Sequence, residues 1–270
     1  MTIRDVRLAA HLRALDDEEI GVGHRMKHFY VPLFRDFCRQ RGLEPKQVRI
    51  LDCGCGNGTS VEHLREAGFF ASGVDLAPTR YQQWRQRPRL PGVHRSQADA
   101  TYLPFVDGSF DIVLSSGLIE HIGVAEQSEP EYHVRPLPNQ QELRGRFLSE
   151  CLRVLRRPGV FYLDYPNGLF PIDFWHNDYR SRPRVHRPGE KFLPSYWEAS
   201  SLARAAEPAC RIRALSPAGR FTFRRSQRRW YGKLFYLPMV GFFRLLTYPL
   251  VRRLAGTCLN PYLVLQISKV

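Results

Sequence analysis

Paired cysteines and a secretion signal are both missing from this sequence of 270 residues. The six cysteines show no repeated spacing, and the CxC formed by Cys53 and Cys55 has no second pair downstream. This pattern argues against a disulfide framework and against a zinc site, so we predict no metal. The first twenty residues are charged throughout and contain no apolar core of signal-peptide length. We therefore expect a cytoplasmic protein with reduced thiols.

Acidic residues are nearly absent from the last quarter of the chain. Residues 201–270 contain thirteen Lys or Arg and one acid, Glu207, whereas the net charge of the whole chain is +14. Most of the excess positive charge therefore lies in this region. Such a surface is suited to an anionic partner: phospholipid headgroups, a nucleic acid or a phosphorylated substrate.

The remaining composition is that of an ordinary globular protein. Hydrophobic residues make up 43% and charged residues 24%, which excludes a disordered, collagenous or polytopic membrane protein. The sequence contains neither an internal repeat nor a low-complexity linker, and it is long enough to bury a large core without disulfides. We expect one domain with additions.

Strand-like and helix-like segments alternate from about residue 48 onward. Strands are predicted at 48–54, 69–76, 93–100, 110–119, 159–167, 210–217 and 261–268. Helices are predicted at 28–42, 59–68, 140–159 and 195–208. This alternation is typical of βαβ units. It predicts an α/β fold with a doubly wound, mostly parallel seven-stranded sheet, preceded by N-terminal helices.

Three glycines at alternate positions follow the first predicted strand. The segment 50–59 reads ILDCGCGNGT and contains Gly54, Gly56 and Gly58. Glycines let the backbone turn sharply and approach a ligand without a side-chain clash. In a doubly wound sheet this turn lies at the carboxyl edge, where ligands bind. A dinucleotide loop would place its third glycine at Thr59, and a GxxxxGK(S/T) phosphate loop is absent.

The pattern acid-x-Gly-x-Gly-x-Gly that begins at Asp52 resembles motif one of the class I S-adenosylmethionine-dependent methyltransferases. Asp75 after the second strand and Asp99 after the third match the same family. Residues 103–111 (LPFVDGSFD) resemble a segment of a large subgroup that methylates small molecules. The resemblance covers residues 48–167, and it implies a Rossmann-like methyltransferase fold with S-adenosylmethionine as cofactor.

The resemblance also implies which residues bind the cofactor. They are Asp52, Gly54, Gly56, Gly58, Asp75, Leu76, Asp99 and Ala100. Asp52 would face the methionine ammonium, Asp75 would accept the ribose hydroxyls, and Asp99 would lie near the adenine amino group. The cofactor carries an ammonium and a sulfonium but no phosphate, so carboxylates suit it better than a lysine-bearing loop.

Transfer of a methyl group to a hydroxyl requires a base beside the methyl position. His121, after the fourth predicted strand, is one candidate, because an imidazole titrates near working pH. Its alternative role is packing or hydrogen bonding within the loop. Asp173 and His176 lie in the long aromatic segment 168–194 and form a second candidate pair, unless they are solvated polar residues. We predict O-methylation of a sugar, a lipid-linked glycan or another small molecule.

Two other functions stay open at this point. The basic region keeps an RNA methyltransferase as an alternative, although the (N/D)PPY tetrad of base-amino methyltransferases is replaced by SSGL at residues 115–118. We therefore do not expect a nucleic acid as the main partner. The other alternative is a non-catalytic module that binds the cofactor at a membrane.

A basic and aromatic insert, residues 220–256, precedes the last predicted strand. Residues 234–251 contain one charge, Arg244. A transmembrane helix needs about 20 apolar residues, and Pro238 and Pro249 interrupt this shorter stretch. We expect the insert to lie on the anionic inner face of a membrane. The alternatives are a cap helix, a homodimer interface and an RNA-binding surface.

These observations divide the single methyltransferase-like domain, residues 1–270, into five predicted parts. They are an N-terminal helical cap (1–47), a cofactor-binding core (48–167), a substrate loop with a helix and strand six (168–219), the insert (220–256) and the final strand (257–270).

Overall fold

The computed structural model describes residues 17–86, 93–127, 133–176, 184–185, 191–223 and 230–270. The described strands are β1 (Arg49–Cys53), β2 (Phe70–Asp75), β3 (Val93–Gln97), β4 (Phe110–Ser116), β5 (Val124–Gln127), β6 (His133–Pro136), β7 (Leu155–Pro166), β8 (Ile172–Asp173), β9 (Arg184–Val185), β10 (Arg211–Leu215) and β11 (Tyr262–Lys269). Seven of them form one sheet in the order β10-β11-β7-β4-β1-β2-β3.

Five neighbouring strands of this sheet are parallel. The pairs β1–β2, β2–β3, β1–β4 and β4–β7 are all parallel, whereas β11 is antiparallel to both β7 and β10. The predicted doubly wound, mostly parallel seven-stranded sheet is thus confirmed. Because the parallel strands share one direction, the residues that follow β1, β2, β4 and β7 meet at one edge.

Helices cover both faces of the sheet. They are α1 (residues 17–25), α2 (Val31–Arg41), α3 (Thr59–Glu66), α4 (Pro78–Gln86), α5 (Gln140–Val154), α6 (Tyr196–Ala206) and α7 (Trp230–Leu245). Alternate residues of β4 point to opposite faces: Val113 belongs to the core that contains α5 and α6, and Ile112 to the core that contains α2 and α3. This alternation follows from the two-residue period of a strand.

The helix predicted at residues 140–159 is shorter than expected, and the strand after it is longer. α5 ends at Val154, and the fully buried Leu155 already pairs with Phe110 of β4. The Pro-Gly step at 158–159 therefore lies inside β7 rather than at the end of a helix. Burial of Leu155 against the sheet decides this boundary, and the helical spacing of the sequence does not report it.

Two short hairpins were not expected from the sequence. β5 and β6 pair as antiparallel strands, and β8 pairs with β9 in the segment after β7. The β5–β6 hairpin lies next to the single helical turn Ile119–His121 that follows β4. It thereby places polar side chains beside His121.

The insert forms α7 and a further single turn, Arg252–Gly256. Its buried side chains include Phe243 and Leu246, which pack against Phe221 and Ala214. Phe243 is therefore part of a core, although the sequence suggested that it inserts into a membrane. In the described part of the chain, no helix combines the length and the apolar character needed to cross a membrane.

Candidate active site

The glycine loop connects β1 to α3 at the carboxyl edge of the sheet. The N–H groups of Gly54 and Cys55 both donate to the carbonyl oxygen of Val74, at 2.8 and 2.9 Å. Gly54 and Gly58 have φ angles of 85° and 84°, in the left-handed region that side chains disfavour. A Cβ atom on Gly58 would lie 2.3 Å from Nε of Arg95, so any larger residue at this position would force the Arg95 side chain to move.

Asp75 at the end of β2 fixes the loop through both of its carboxylate oxygens. Oδ2 accepts from the N–H of Gly56 at 2.9 Å, and Oδ1 accepts from the N–H of Ala77 at 3.0 Å. Each oxygen has a second lone pair for a further donor. Leu76 is exposed, and its carbonyl oxygen accepts from Nε2 of Gln97 at 3.0 Å.

Asp52 at the end of β1 is a buried carboxylate with one close donor. Ser60 of α3 donates its hydroxyl to Oδ2 of Asp52. Burial raises the pKa of Asp52 to about 6, although the Ser60 hydrogen bond and the positive charge of Arg25 act in the opposite direction. A buried acid of this kind is stabilised by an added cationic group.

Helix α1 lies across the same edge of the sheet. Glu18 forms an ion pair with Arg80 of α4 at 3.3 Å, and a Cβ atom on Gly56 would lie 3.4 Å from the Glu18 carboxylate. Arg25, at the other end of α1, acts electrostatically on Asp52. The helix and the glycine loop therefore face each other.

Asp99 and Ala100 follow β3. Asp99 is exposed, and its Oδ1 accepts from both the N–H and the hydroxyl of Thr101, each at 2.8 Å. Ala100 is half-buried and packs against the core of the α5 face. The structure thus places the predicted ribose and adenine residues after neighbouring strands, β2 and β3.

The three predicted catalytic residues lie together. His121 Nε2 is 3.4 Å from His176 Nε2, and His176 Nδ1 is 2.8 Å from Oδ2 of the fully buried Asp173. The backbone N–H of His176 also donates to Asp173 Oδ1, at 3.1 Å. Two separate sequence predictions, one after β4 and one in the segment after β7, therefore describe one cluster.

Two carboxylates complete this cluster. Glu126 of β5 lies 2.5 Å from Nδ1 of His121, and Glu120 Oε1 lies 3.9 Å from Nε2 of His176. Glu126 was missed in the sequence because its contact depends on the β5–β6 hairpin. The acidic residues shortly after His121 were the feature of the sequence that could have indicated a carboxylate partner for this histidine.

The carboxylates set the charge of the cluster. Burial disfavours a charged His121, but the hydrogen bond to Glu126 and the neighbouring acids outweigh it and raise the pKa of this imidazole. Burial also opposes ionisation of Asp173, but its hydrogen bond with His176 prevails and lowers the pKa of the carboxyl. The arrangement therefore favours an anionic Asp173 and a readily protonated His121.

Arg144 of α5 supports the turn that carries His121. Its fully buried guanidinium donates to the carbonyl oxygens of Ile119 at 3.1 Å and of Phe192. The Phe192 ring packs edge-on against His176, with ring centroids 4.7 Å apart. Local sequence patterns do not indicate either residue, because their partners lie far away in the chain.

A second buried cluster surrounds Asp164 near the end of β7. Tyr30 and Tyr262 donate their hydroxyls to Asp164, and Arg220 lies 2.6 Å from Oδ1. The sequence suggested that Arg220 is part of a basic surface. That prediction is wrong, because the guanidinium is buried against Asp164 and stacks over Tyr262 at 4.2 Å. The basic side chains of residues 224–229 lie outside the described residues.

Residues 51–163 match the family described as "Methyltransferase domain". Together with the sheet order, this match decides the family. These residues form a class I S-adenosylmethionine-dependent methyltransferase domain. The predicted family, fold and cofactor are thereby confirmed. The assignment of individual cofactor-binding and catalytic residues stays a prediction, as does the division into five parts.

The chain is similar to two mycobacterial proteins over part of its length. It is 34% identical over 158 residues to the phthiotriol/phenolphthiotriol dimycocerosates methyltransferase of Mycobacterium tuberculosis, covering 57% of this chain and 50% of the relative. It is 28% identical over 178 residues to the fatty-acid O-methyltransferase of Mycolicibacterium smegmatis, covering 62% of this chain and 56% of the relative. The chain thus spans about half the length of these relatives.

A solved structure supports the fold of this chain over most of its length. The S-adenosylmethionine-dependent methyltransferase from Listeria monocytogenes superposes with a TM-score of 0.51 and 15% identity. The superposition covers 93% of this chain and 99% of the other. At this identity the likeness concerns the fold alone.

Proposed function

We propose that this chain transfers the methyl group of S-adenosylmethionine to an oxygen atom of a lipid or lipid-linked acceptor. The main observation in support of this proposal is the His121–His176 pair, which carboxylates hold at the same sheet edge as the glycine loop. Leu118, directly before the turn with His121, is the side chain nearest to a Cβ on Gly54, at 3.0 Å. The pair and the loop are therefore neighbours.

The residues of the loop suit the cofactor. Asp52 would meet its ammonium, and Asp75 would accept its ribose hydroxyls with the lone pairs left free by the backbone donors. Asp99 and Ala100 would lie beside the adenine. When bound, S-adenosylmethionine supplies a methyl group on a positively charged sulfur, which is open to attack by a nucleophile.

The histidine pair suits an acceptor that must lose a proton. As the acceptor oxygen bonds to the methyl carbon and the carbon–sulfur bond breaks, the hydroxyl proton passes to His121 Nε2. Glu126 then stabilises the imidazolium from the other ring nitrogen, 2.5 Å away. The products are the methylated acceptor and S-adenosylhomocysteine, and no further reactant is needed.

Two observations favour a lipid-type acceptor over a free sugar. Both mycobacterial relatives are named for such acceptors, dimycocerosates in one case and fatty acids in the other. The insert also exposes large apolar side chains, which we call the insert surface: Leu234, Phe235, Leu237, Leu245, Tyr248 and Leu250. Exposed Lys233, Arg244, Arg252 and Arg253 adjoin it. We infer that this surface contacts an anionic membrane that carries the acceptor.

The transfer itself is tested with a tritium-labelled methyl group on S-adenosylmethionine. Incubation with fractionated cell extract should label the lipid fraction and leave RNA and protein unlabelled. Asp75→Ala should weaken cofactor binding by about 10- to 100-fold, because the loop and the ribose hydroxyls lose their acceptor. Calorimetry with S-adenosylhomocysteine measures this loss, and Asp36→Ala at a partly exposed position of α2 is the control. Label in RNA would overturn the lipid proposal, and label in no fraction would overturn the transfer.

Membrane contact is tested by sedimentation with vesicles that contain phosphatidylglycerol. The full chain should bind them, and binding should weaken as salt screens the basic residues. Leu237→Asp combined with Leu250→Asp should reduce binding by at least about 10-fold, since each buried leucine contributes roughly 1.5–3 kcal/mol. Val106→Asp introduces the same charge at an exposed site outside the insert and should leave binding unchanged. Equal binding by all variants would contradict the proposal.

A further inference from the structure

The catalytic cluster has a feature that proton transfer alone does not require. Three potential ligand atoms, one each from Glu120, His121 and His176, lie within 4.8 Å of one another. The two imidazoles present their Nε2 atoms to each other at 3.4 Å. Glu120 is almost fully buried and borders the same space.

The carboxylates behind the rings determine which ring nitrogens face the centre with a lone pair. His121 Nδ1 lies 2.5 Å from Glu126, and His176 Nδ1 lies 2.8 Å from Asp173. Both Nδ1 atoms are therefore donors, which leaves Nε2 as the acceptor in each neutral ring. In two neutral rings, the lone pairs that face each other at 3.4 Å repel unless a proton or a metal ion lies between them. The same carboxylate–imidazole arrangement orients histidines that bind metals.

Glu120 provides an independent sign of a missing positive group. Its Oε2 is buried and has no hydrogen-bond partner in the described structure, and such an atom costs free energy unless it is paired. The buried Arg144 does not supply the pairing, since it donates to the backbone carbonyl of Glu120 and to the carboxylate of Glu198. A cation at the centre would pair the Glu120 carboxylate and separate the two Nε2 lone pairs.

We propose that Glu120, His121 and His176 bind a divalent transition-metal ion of the zinc type. Two imidazoles and one carboxylate are a ligand set that zinc and its neighbours accept, whereas magnesium prefers oxygen ligands alone. With metal–nitrogen bonds of about 2.0–2.1 Å, two tetrahedral ligands lie roughly 3.3–3.4 Å apart, which matches the observed separation of the Nε2 atoms. The described residues supply three protein ligands, so a tetrahedral ion would have a fourth position for a further ligand.

The role of this ion rests on the proposed function, whereas its binding does not. An acceptor hydroxyl in the open position would be polarised by the ion, and its pKa would fall. In the loaded protein the histidines are then ligands, and the hydroxyl proton is released to solvent. The cysteine spacing predicts no metal, but this ligand set contains no cysteine, and its members are separated by up to 56 positions in the chain.

The experiment is a calorimetric titration of the tag-free, chelator-stripped full chain with Zn²⁺, in the absence of S-adenosylmethionine. We expect one ion per chain. Glu120→Gln and His176→Ala should each weaken binding by at least about 100-fold, and Asp173→Asn, which acts through His176, by about 10- to 100-fold. His94→Ala removes an exposed histidine of β3 and should leave the affinity unchanged. Loading with Co²⁺ should give a visible absorption band that both ligand variants lose.

Binding of S-adenosylhomocysteine by each variant separates loss of the site from loss of the fold. Absence of stoichiometric Zn²⁺ binding to the wild-type chain would overturn the inference. Equal binding by wild type and both ligand variants would do the same, because the ion would then lie elsewhere. Zn²⁺ binding without any S-adenosylhomocysteine binding would leave the metal site standing and refute the proposed function instead.

Discussion

Replacement of Asp164 by alanine is expected to lower the free energy of unfolding by about 3–5 kcal/mol, the usual effect of removing one partner of a buried ion pair. The Asp164 side chain is fully buried and accepts from Tyr30, Tyr262 and Arg220. Without it, the Arg220 guanidinium stays buried with no compensating carboxylate. Urea unfolding followed by circular dichroism measures the loss.

A matched control uses a carboxylate on the surface. Asp107 is paired with Arg153 at 2.7 Å, but its side chain is 80% exposed. Asp107→Ala should therefore cost no more than about 1 kcal/mol, because water replaces the lost partner. If the two substitutions have equal effects, the Asp164 cluster does not stabilise the sheet edge as its geometry indicates.

Replacement of Asp52 by asparagine is expected to raise the free energy of unfolding and to weaken the binding of S-adenosylmethionine. Burial raises the pKa of Asp52 to about 6 in the folded chain, from an ordinary value of 3.8. Ionisation of this carboxyl at pH 7 therefore costs the folded state up to about 3 kcal/mol. Asp52→Asn removes that cost, so we expect the variant to unfold at higher urea. Its affinity for S-adenosylmethionine should fall by about 10- to 100-fold, since the ammonium loses a charged acceptor.

The pH dependence provides an internal check of the Asp52 prediction. Below about pH 3 the carboxyl is protonated in both states, and wild type and Asp52→Asn should differ little. The wild-type penalty grows as pH rises towards 6 and is complete above it, so the gap between the two proteins should widen over that range. A gap that is constant from pH 4 to pH 8 would refute the role of ionisation.

The order of strands and helices could be predicted because it depends on local patterns. Apolar runs that end in glycine, such as the one before Gly54, identify parallel strands without any knowledge of their neighbours. The residues at which helices and strands end were harder to predict from the sequence. α5 ends at Val154 because Leu155 pairs with β4, and this tertiary contact leaves no local mark in the sequence.

In the candidate site, some residues could be predicted from the sequence, whereas their contacts could not. His121, Asp173 and His176 could be named from residue type and from their position after strands. That they form one cluster depends on the path of the chain after β7, and the contact of Glu126 depends on a hairpin that the sequence did not indicate. Arg220 shows the converse error, because charge alone suggested a surface, whereas its partner Asp164 lies 56 residues away.

The place of β11 in the sheet has a consequence for biosynthesis. β10 has one neighbour, β11, which also pairs with residues 159–166 of β7. While the ribosome is still making the insert, β10 has no strand to join and β7 presents an open edge. Such edges attract other chains. We therefore expect nascent chains to be most prone to pair with one another before residues 262–269 emerge and join β7 to β10.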